Sequence, residues 1–417
     1  MTQAAPLRAS SNTRQIIHAL ARLLRERDFA VVLACCVALG LAGSFVLPFF
    51  SLFGTQEVKM SLRGFGAFQT VSAIAGIAIS TFLSHRSDSR YSRRSLLLVS
   101  SACGAAGYFG YAFTREVWLL LAIAVCLLGI ASLTFSQLFA HARELVSKSE
   151  IPPRDAPLYV NVFRMSFALA WTVGPAIAAA TLHSTSFTGL FLTAGALYVL
   201  FFGIVFAGVR GQERALTHAA PPALGLRGVL AAPGVLGWFI CFVLIFSATT
   251  MSMSNMSLYV LKELHGTDGN VGMIFSLAPV FELPFMLYFG LLATRIGSTA
   301  LIRAAFALAL VYFTGLASVR APWQIYPLQA LSAAIVAVTG GLAITFFQNK
   351  LPGRLGAATN LYSNAQRVGT TSGYLAFGAV ASSFGYRGTY VACALLAALA
   401  FALSSLLDRK SERSLEA

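Results

Sequence analysis

Residues 158–164 read LYVNVFR and residues 361–367 read LYSNAQR, so the pattern L-Y-x-N-x-x-R occurs twice at a separation of 203 residues. Both copies lie inside long apolar segments. Trp118 and Trp323, each at the start of another apolar segment, are separated by almost the same distance, 205 residues. A duplication of half of the chain explains both matches, because it repeats every segment at one nearly constant offset.

The composition is that of a membrane protein. Of the 417 residues, 57% are hydrophobic and only 11% are charged. A helix needs about 20 apolar residues to cross the hydrocarbon core of a bilayer. Twelve segments meet this requirement, and we predict an all-α membrane protein with 12 transmembrane helices in two pseudo-symmetric six-helix bundles. The predicted spans are residues 29–53, 64–84, 95–113, 117–140, 157–182, 186–209, 235–261, 270–293, 299–318, 323–348, 357–382 and 388–407.

These spans divide the chain into five parts. We predict an N-terminal amphipathic segment (1–28), an N-terminal bundle (29–209), a linker (210–234), a C-terminal bundle (235–407) and a tail (408–417). In the first part, apolar and basic residues alternate with helical spacing, which suits a helix on the membrane surface. A disordered basic tail explains this segment equally well. The first span is too long for a secretion signal, and no small-residue cleavage site follows it.

The formal net charge of +15 mainly reflects the orientation of the chain in the membrane. Of the 30 Lys and Arg residues, 22 lie on the side that holds both termini and the linker, and six lie on the other side. The positive-inside rule therefore predicts that both termini are cytoplasmic. Because the basic residues are scattered between apolar segments, we expect no nucleic-acid partner. The six cysteines lack the spacing of a disulfide framework or metal site, and no cofactor or metal is predicted.

Three ionisable side chains lie inside predicted spans, and such groups usually mark a functional site because the hydrocarbon disfavours them. Glu282 and Arg367 each lie about 18 Å from the end of their spans at helical rise, near the middle of the membrane. Arg164 lies about 12 Å from the end of its span. We predict that all three take part in proton coupling, and that both arginines also bind substrate.

Each of these charges has an alternative interpretation. Glu282 can carry protons, because a nearby guanidinium opposes the effect of burial on its ionisation. It can instead form a fixed pair with an arginine that holds two helices together. The arginines can donate to substrate hydroxyls or keep Glu282 ionised, or they can bond to backbone carbonyls where a helix is broken.

Aromatic and amide side chains also lie deep in the predicted spans. Aromatic rings stack on the apolar face of a sugar, and amides bond to its hydroxyl groups, although packing explains each residue taken singly. Gly174 and Pro175 lie among small residues, which favours a kink or a close helix contact. As a set, the aromatic and amide residues are predicted to bind substrate: Gln137, Asn161, Trp171, Trp238, Asn255, Tyr259 and Asn364.

Several segments resemble the major facilitator superfamily and, within it, the bacterial sugar efflux transporters. They are residues 71–77 with 84–89, 136–144, 169–175 and 347–359. The superfamily's loop motif, roughly G-x-L-A-D-R-x-G-R-R, is represented with altered spacing by Asp88, Arg93 and Arg94. A second copy of this motif, at residues 290–297, has Thr294 where an acid usually stands.

The loop residues of this resemblance form the predicted gate. An aspartate with arginine neighbours near helix ends can make charge-assisted bonds that hold one conformation and release in the other. The antiporter signature G-P-x-x-G-G is matched by Gly174 and Pro175, although alanines replace its last two glycines. The predicted gating residues are Asp88, Arg93, Arg94, Gly174, Pro175, Gly290 and Arg295.

The resemblance implies a secondary active transporter in the inner (plasma) membrane of a bacterium, not an enzyme. It implies export of small sugars or glycosides, such as lactose, glucose and alkyl or aryl glycosides, by proton antiport through alternating access. The implied partners are the sugar, protons and the lipid bilayer, and we expect a monomer. Relatives often carry an acid near the position of Asn255, so coupling here either depends on Glu282 alone or is weak.

Two other functions fit the sequence less well. A multidrug/proton antiporter of the same fold is the main alternative, but exporters of lipophilic cations prefer acids among aromatic residues over amides and arginines. A membrane-embedded transferase needs clustered acid, base or metal-binding groups, which the 15 scattered acidic residues do not supply. The chain also lacks the G-x-x-x-x-G-K-[ST] motif of an ATP-driven pump.

Overall fold

The computed structural model describes residues 26–90, 92–149, 151, 156–209 and 234–416. Within these ranges it describes all side chains except those of residues 83–90, 156–158, 160, 161, 355 and 408–416. Almost all of the predicted N-terminal segment and linker therefore lie outside the described residues.

The described part of the chain consists of helices and short connections, without a β-strand. Ten of its helices are long and apolar enough to cross a membrane. They are α1 (Arg27–Glu57), α2 (Leu62–Arg90), α3 (Arg93–Phe113), α4 (Val117–Lys148), α5 (Ala156–Gly208), α6 (Val235–Glu263), α7 (Asp268–Ile296), α8 (Ser298–Ser318), α9 (Pro322–Lys350) and α10 (Leu355–Glu416).

Helix α5 folds back on itself at Ser186, whose φ of 65° and ψ of −174° are not helical. Its contacts with α1 require this reversal. Gly208 faces Val31, whereas the side chain of Ala170 lies against Gly40, only nine residues further along α1. A straight helix would separate residues 170 and 208 by about 57 Å, against about 13 Å between residues 31 and 40. We call the two arms α5a (156–185) and α5b (187–208).

Helix α10 reverses in the same way at Gly385, which has a φ of 72°. Gly369 faces Phe246 of α6, while Cys393 Sγ donates to the carbonyl of Ala248, only two residues further along α6. The arms are α10a (355–384) and α10b (386–416). Counting each reversed helix as two crossings agrees with the twelve predicted spans, although their exact number stays a prediction. Helix α10b continues past the predicted end at residue 407, because good helix formers follow without Gly or Pro.

The ends of the helices fall into two groups, which we name by their residues. The basic end is the one at which α3 begins with Arg93 and α4 ends with Lys148, and the far end is the one at which α1 ends with Glu57 and α6 with Glu263. The last five residues of both α1 and α6 at the far end form a π-helical turn, at residues 53–57 and 259–263. The two halves thus repeat an irregular feature as well as the helices.

The two halves touch through their backbones near the far end. On α2, a Cβ atom placed on Gly66 would lie 2.8 Å from both Gly378 Cα and the carbonyl oxygen of Tyr374 on α10a. On α7, a Cβ atom placed on Gly272 would lie 2.8 Å from both Ala179 Cβ and the carbonyl oxygen of Pro175 on α5a. Residues without bulky side chains allow this close approach of membrane helices.

The buried apolar residues of the two halves merge into one core at the far end. In the described residues, one cluster includes the core of the C-terminal half and the far end of the N-terminal half. A second cluster, which includes Phe29, Leu138 and Phe201, belongs to the N-terminal half at the basic end. The halves therefore share an apolar core at the far end, whereas the described apolar core of the N-terminal half at the basic end is separate from it.

Gly66→Ala is expected to lower the free energy of unfolding by about 1–3 kcal/mol, because the added methyl group meets backbone atoms that cannot change rotamer. Unfolding in mixed detergent, monitored by tryptophan fluorescence, measures this loss. Gly203→Ala is the matched control, since a Cβ atom there has no neighbour within 4 Å. Equal stability of the two variants would contradict the tight contact between α2 and α10a.

Candidate functional site

The two intramembrane arginines occupy equivalent positions in the two halves. Arg164 lies eleven residues before Pro175 on α5a, and Arg367 lies eleven residues before Gly378 on α10a. Eleven residues make about three helical turns, so each arginine lies on the helix face that contacts the other half, about 16 Å toward the basic end. Both side chains are exposed, although the segments around them are apolar.

Each arginine reaches toward the opposite half. Arg367 Nη1 donates to Thr81 Oγ1 of α2 at 3.2 Å. The charge of Arg164 acts on Glu282 of α7 and on Tyr362 of α10a. Glu282 is half-buried, and among the described residues no cation lies within ion-pair distance of it. The structure therefore brings Arg164 and Glu282 together without a fixed salt bridge. We call Thr81, Arg164, Glu282, Tyr362 and Arg367 the interface cluster.

Sequence reasoning missed Tyr362 and Thr81. Tyr362 is buried with its ring edge toward Phe246, at 5.9 Å between ring centroids. The repeated L-Y-x-N-x-x-R pattern could have indicated it, because the tyrosine lies in the same motif as the arginine. Asn364, which was predicted, is half-buried and lies three residues before Arg367, one turn away on α10a. Asn161 lies three residues before Arg164, and its side chain is outside the described residues.

Two other predicted substrate-binding residues lie within the N-terminal half. Trp171 lies against α1, with its ring 3.8 Å from a Cβ atom placed on Gly43. Its Nε1 is buried and has no hydrogen-bond acceptor among the described residues, so it has a free donor. Gln137 is closer to the basic end, where its Oε1 accepts from Arg93 Nη1 at 3.4 Å.

The structure places three predicted substrate-binding residues in the core of the C-terminal half, away from the interface cluster. Asn255 is fully buried, and its Nδ2 donates to the carbonyl of Tyr386 at 2.8 Å. The Tyr259 hydroxyl donates to the carbonyl of Leu316 at 2.9 Å near the far end. Trp238 packs near the basic end, edge-to-face with Phe346 at 4.7 Å. Each of them is held by neighbours of its own half.

The predicted gate at the basic end contains a partner that the sequence did not identify. Arg93 Nε donates to Glu144 Oε2 of α4 at 2.7 Å, and Lys148 binds the other oxygen of the same carboxylate at 2.7 Å. Arg94 donates to the carbonyl of Phe206 at 2.8 Å. These bonds tie α3 to α4 and α5b within the N-terminal half. The side chain of Asp88 lies outside the described residues.

The remaining predicted gating residues differ in their surroundings. Gly174 faces Ser44 of α1 so closely that a Cβ atom there would overlap its hydroxyl, and the Pro175 carbonyl contacts Gly272. Both residues thus serve close helix contacts, as their small-residue surroundings indicated. Gly290 and Arg295 are exposed near the basic end of α7, and a Cβ atom on Gly290 would have no neighbour within 4 Å.

An arginine clamp at the far end of the N-terminal half was missed by sequence reasoning. Arg115 Nη2 lies 3.4 Å from Glu57 Oε1, and its guanidinium carbon lies 5.2 Å from the centre of the Phe53 ring. Arg115 Nη1 also donates to the carbonyls of Tyr111 and Ala112 at the end of α3. One cation therefore caps α3 and holds the π-helical turn of α1.

The C-terminal half contains the same clamp, built with an arginine from a different position. Arg387 Nε lies 3.4 Å from Glu263 Oε1, and its guanidinium carbon lies 5.7 Å from the Tyr259 ring centre. Arg387 Nη1 donates to the carbonyls of Ala317 and Val319 where α8 ends. The sequence signal was an aromatic residue followed four positions later by Glu, at 53–57 and again at 259–263.

The chemistry of the interface cluster is that of binding. Two guanidinium groups, two hydroxyls and one carboxylate can hydrogen-bond a polar solute, and the carboxylate can also exchange a proton. The described residues contain no group of three or more His, Cys, Asp or Glu side chains able to hold a metal ion. The helices that carry the cluster, α2, α5a, α7 and α10a, are those that make the backbone contacts between the halves, and α1 and α6 also meet where Ser257 donates to the Pro48 carbonyl.

Comparison with known proteins identifies the family. The family model of the Major Facilitator Superfamily matches residues 32–352 and again residues 238–417. The chain belongs to the Major Facilitator Superfamily. It is therefore a multi-pass membrane transporter and not an enzyme. The overlap of the two matches agrees with the duplicated halves.

The similar proteins include two bacterial transporters that are related along nearly their whole length. A putative sugar efflux transporter of Deinococcus radiodurans is 37% identical over 89% of this chain and 96% of its own. Sugar efflux transporter A of Dickeya chrysanthemi is 32% identical over 93% of this chain and 98% of its own. A multidrug resistance protein, MdtG of Enterobacter lignolyticus, is 22% identical over 89% of this chain and 90% of its own.

A solved structure shares the fold of this transporter. The nucleoside transporter NupG superposes with a TM-score of 0.78 over 91% of this chain and 99% of its own, at 12% sequence identity. At this identity the likeness concerns the fold alone.

Arg387→Gln is expected to lower the free energy of unfolding by about 1–3 kcal/mol, because it removes charge-assisted bonds to two carbonyls and to Glu263. The same unfolding measurement in mixed detergent tests this. Arg320→Gln is the matched control, since Arg320 is exposed and its guanidinium makes no hydrogen bond within the described residues. If both variants lose the same stability, the clamp contributes nothing specific.

Proposed function

We propose that this transporter exports small sugars or glycosides from a bacterial cell in exchange for protons. Two relatives named for sugar efflux, at 37% and 32% identity, support the substrate class. The observation that carries the mechanism is that Arg164 of one half lies near enough to Glu282 of the other half for its charge to act on that carboxylate. Lactose, glucose and alkyl or aryl glycosides are the substrates to test.

The interface cluster suits a sugar better than a lipophilic cation. A sugar presents hydroxyl groups that both donate and accept, and guanidinium, hydroxyl and carboxylate groups can pair with them. A lipophilic cation, in contrast, would meet two positive charges, Arg164 and Arg367. The multidrug relative is also more distant, at 22% identity. Asn364 and Asn161, each three residues before an arginine in the sequence, are also proposed to bind the sugar.

Proton coupling follows if the Glu282 carboxylate both binds the proton and responds to the bound sugar. Glu282 is half-buried and feels the charge of Arg164, so a bound sugar that engages Arg164 changes the surroundings of Glu282. A proton on Glu282 removes its charge and its attraction for Arg164, which favours a different arrangement of α5a and α7. Sugar and proton thus compete for the same cluster, as antiport requires.

The proposed orientation of the chain in the membrane determines the direction of the transport cycle. The distribution of Lys and Arg predicts that the basic end faces the cytoplasm, with both termini inside the inner membrane. A cleft between the halves at the basic end would then load sugar from the cytoplasm. Closure of the basic end and separation at the far end would release the sugar outside, where a proton binds.

Purified protein in liposomes tests the proposal. A pH gradient is imposed so that protons are more concentrated on one side of the liposome membrane. As protons flow down this gradient, we expect radiolabelled lactose, glucose or a methyl glycoside to move the opposite way and accumulate on the proton-rich side. An ethidium dye should remain where it was. Collapse of the gradient with a protonophore should abolish the accumulation. Movement of the dye without movement of any sugar would overturn sugar export in favour of multidrug export.

Glu282→Gln is expected to abolish sugar accumulation driven by a pH gradient and to preserve exchange of sugar for sugar, because the amide binds solute but takes up no proton. Counterflow of radiolabelled sugar in the same liposomes measures the exchange. Glu116→Gln, the same change at an exposed glutamate at the far end, is the control and should transport normally. Accumulation by Glu282→Gln would place the proton carrier elsewhere.

A further inference from the structure

The basic end of α5b is bonded to two arginines from its neighbouring helices. Arg94 Nη2, from α3, donates to the carbonyl of Phe206 at 2.8 Å, and Arg27 Nη2, from α1, donates to the carbonyl of Ala207 at 3.4 Å. Both carbonyls belong to the last turn of α5b, where a helix leaves its carbonyls without regular intrahelical donors. Because the two residues are consecutive, both guanidinium groups lie at the same turn of α5b.

The exposed residues of α5b form one apolar stripe that faces lipid. Helix α5b packs against its own half, since Gly195 faces Phe109 of α3 and Gly208 faces Val31 of α1. The residues on its remaining side are exposed with the spacing of one helix face. They are Ala196, Val199, Leu200, Gly203, Phe206 and Ala207. In a membrane helix, such an apolar face contacts lipid tails.

Arg94 lies where this stripe reaches the headgroup region of the membrane. Its guanidinium carbon lies 5.5 Å from the centre of the Phe206 ring, and Phe206 is 62% exposed. Helices α1 and α3 begin at this end and α5b ends there, so the hydrocarbon gives way to headgroups at this level. A guanidinium carries five N–H donors. Within the described residues, Arg27 and Arg94 each use one nitrogen for α5b, which leaves donors for a lipid headgroup.

The chain itself does not neutralise these two cations. In the part that the structure describes, neither Arg27 nor Arg94 has a carboxylate within ion-pair distance. Glu26 and Asp28, the acids next to Arg27 in the sequence, line a cavity on the side of α4 together with Lys148. A negative charge from outside the described chain therefore suits this position.

We propose that Arg27 and Arg94 bind the phosphate of an anionic phospholipid at the basic end of α5b. The phosphate oxygens accept from both guanidinium groups, and an acyl chain runs along the exposed stripe of α5b. Basic sites between membrane helices are suited to such headgroups. Phosphatidylglycerol, with one net negative charge, fits this site better than a zwitterionic lipid, whose ammonium group is repelled by two arginines.

The bound lipid connects three helices of the N-terminal half. Each arginine already bonds to a carbonyl of α5b, and a shared phosphate adds a bridge between α1 and α3. If the basic end is cytoplasmic, as proposed above, the lipid belongs to the inner leaflet. Binding itself depends neither on this orientation nor on the transported substrate.

Native mass spectrometry of the full chain in a mild detergent measures the dissociation constant of the first bound lipid. Dioleoyl phosphatidylglycerol is the probe, and dioleoyl phosphatidylcholine, with the same chains and a zwitterionic headgroup, is the comparison. We expect the parent to bind phosphatidylglycerol about tenfold more tightly than phosphatidylcholine, because the arginines attract net negative charge.

Arg27→Gln and Arg94→Gln should each weaken phosphatidylglycerol binding about fivefold and leave phosphatidylcholine binding nearly unchanged. Arg94→Lys keeps the charge but loses the paired donors, and its affinity should lie between those of the parent and Arg94→Gln. Arg143→Gln is the matched control, because Arg143 is an exposed arginine at the basic end of α4 in the same half. It should bind phosphatidylglycerol like the parent.

Parental affinity for phosphatidylglycerol in both glutamine variants, or equal affinity of the parent for the two lipids, would overturn the site. The two arginines lie on different helices, so a folding defect in one variant leaves the other as the test. Displacement of bound phosphatidylglycerol by glycerol 3-phosphate would indicate a site for free phosphates and overturn the lipid assignment. The assay contains neither sugar nor a pH gradient, so its result is independent of the transport test in liposomes.

Discussion

The backbones of the two halves touch at Gly66 and Gly378 and again at Gly272 and Pro175, both times near the far end. In a membrane, lipid tails are as apolar as the helix surface, so helices associate through close packing and polar bonds more than through burial of apolar area. These contacts therefore determine how the halves lie against each other. Because both are at one end, the halves share an apolar core there, while the described apolar core of the N-terminal half at the basic end is separate.

The interface between the halves explains how the chain tolerates charge at membrane depth. An ionisable group facing lipid is disfavoured by a few kcal/mol or more. Arg164 and Arg367 avoid this because each lies three turns from a backbone contact, on the face toward the other half and not toward lipid. Duplication places one arginine of the interface cluster in each half. The N-terminal half has no carboxylate equivalent to Glu282, so the cluster has two matching cations but a single acid.

Several features of the fold and site could be predicted from the sequence, and others could not. The apolar segments predicted helices, and the repeated motif predicted the two halves and both arginines. Asn255, Tyr259 and Trp238 show the limit of this reasoning. A membrane helix is apolar on nearly all faces, so its pattern does not distinguish a polar residue that faces the other half from one that bonds within its own half.

The two arginine clamps also show what the sequence pattern cannot predict. Glu57 and Glu263 recur at matching positions, but Arg115 precedes α4 whereas Arg387 lies in α10b, so no repeat in the sequence links the cations. The sequence by itself determined the helices, the duplication and the depth of the three charges, because these depend on local composition and spacing. Only the tertiary structure decided which groups come together, since the hydrogen bond of Arg367 with Thr81 and the approach of Arg164 to Glu282 depend on how helices from different halves pack.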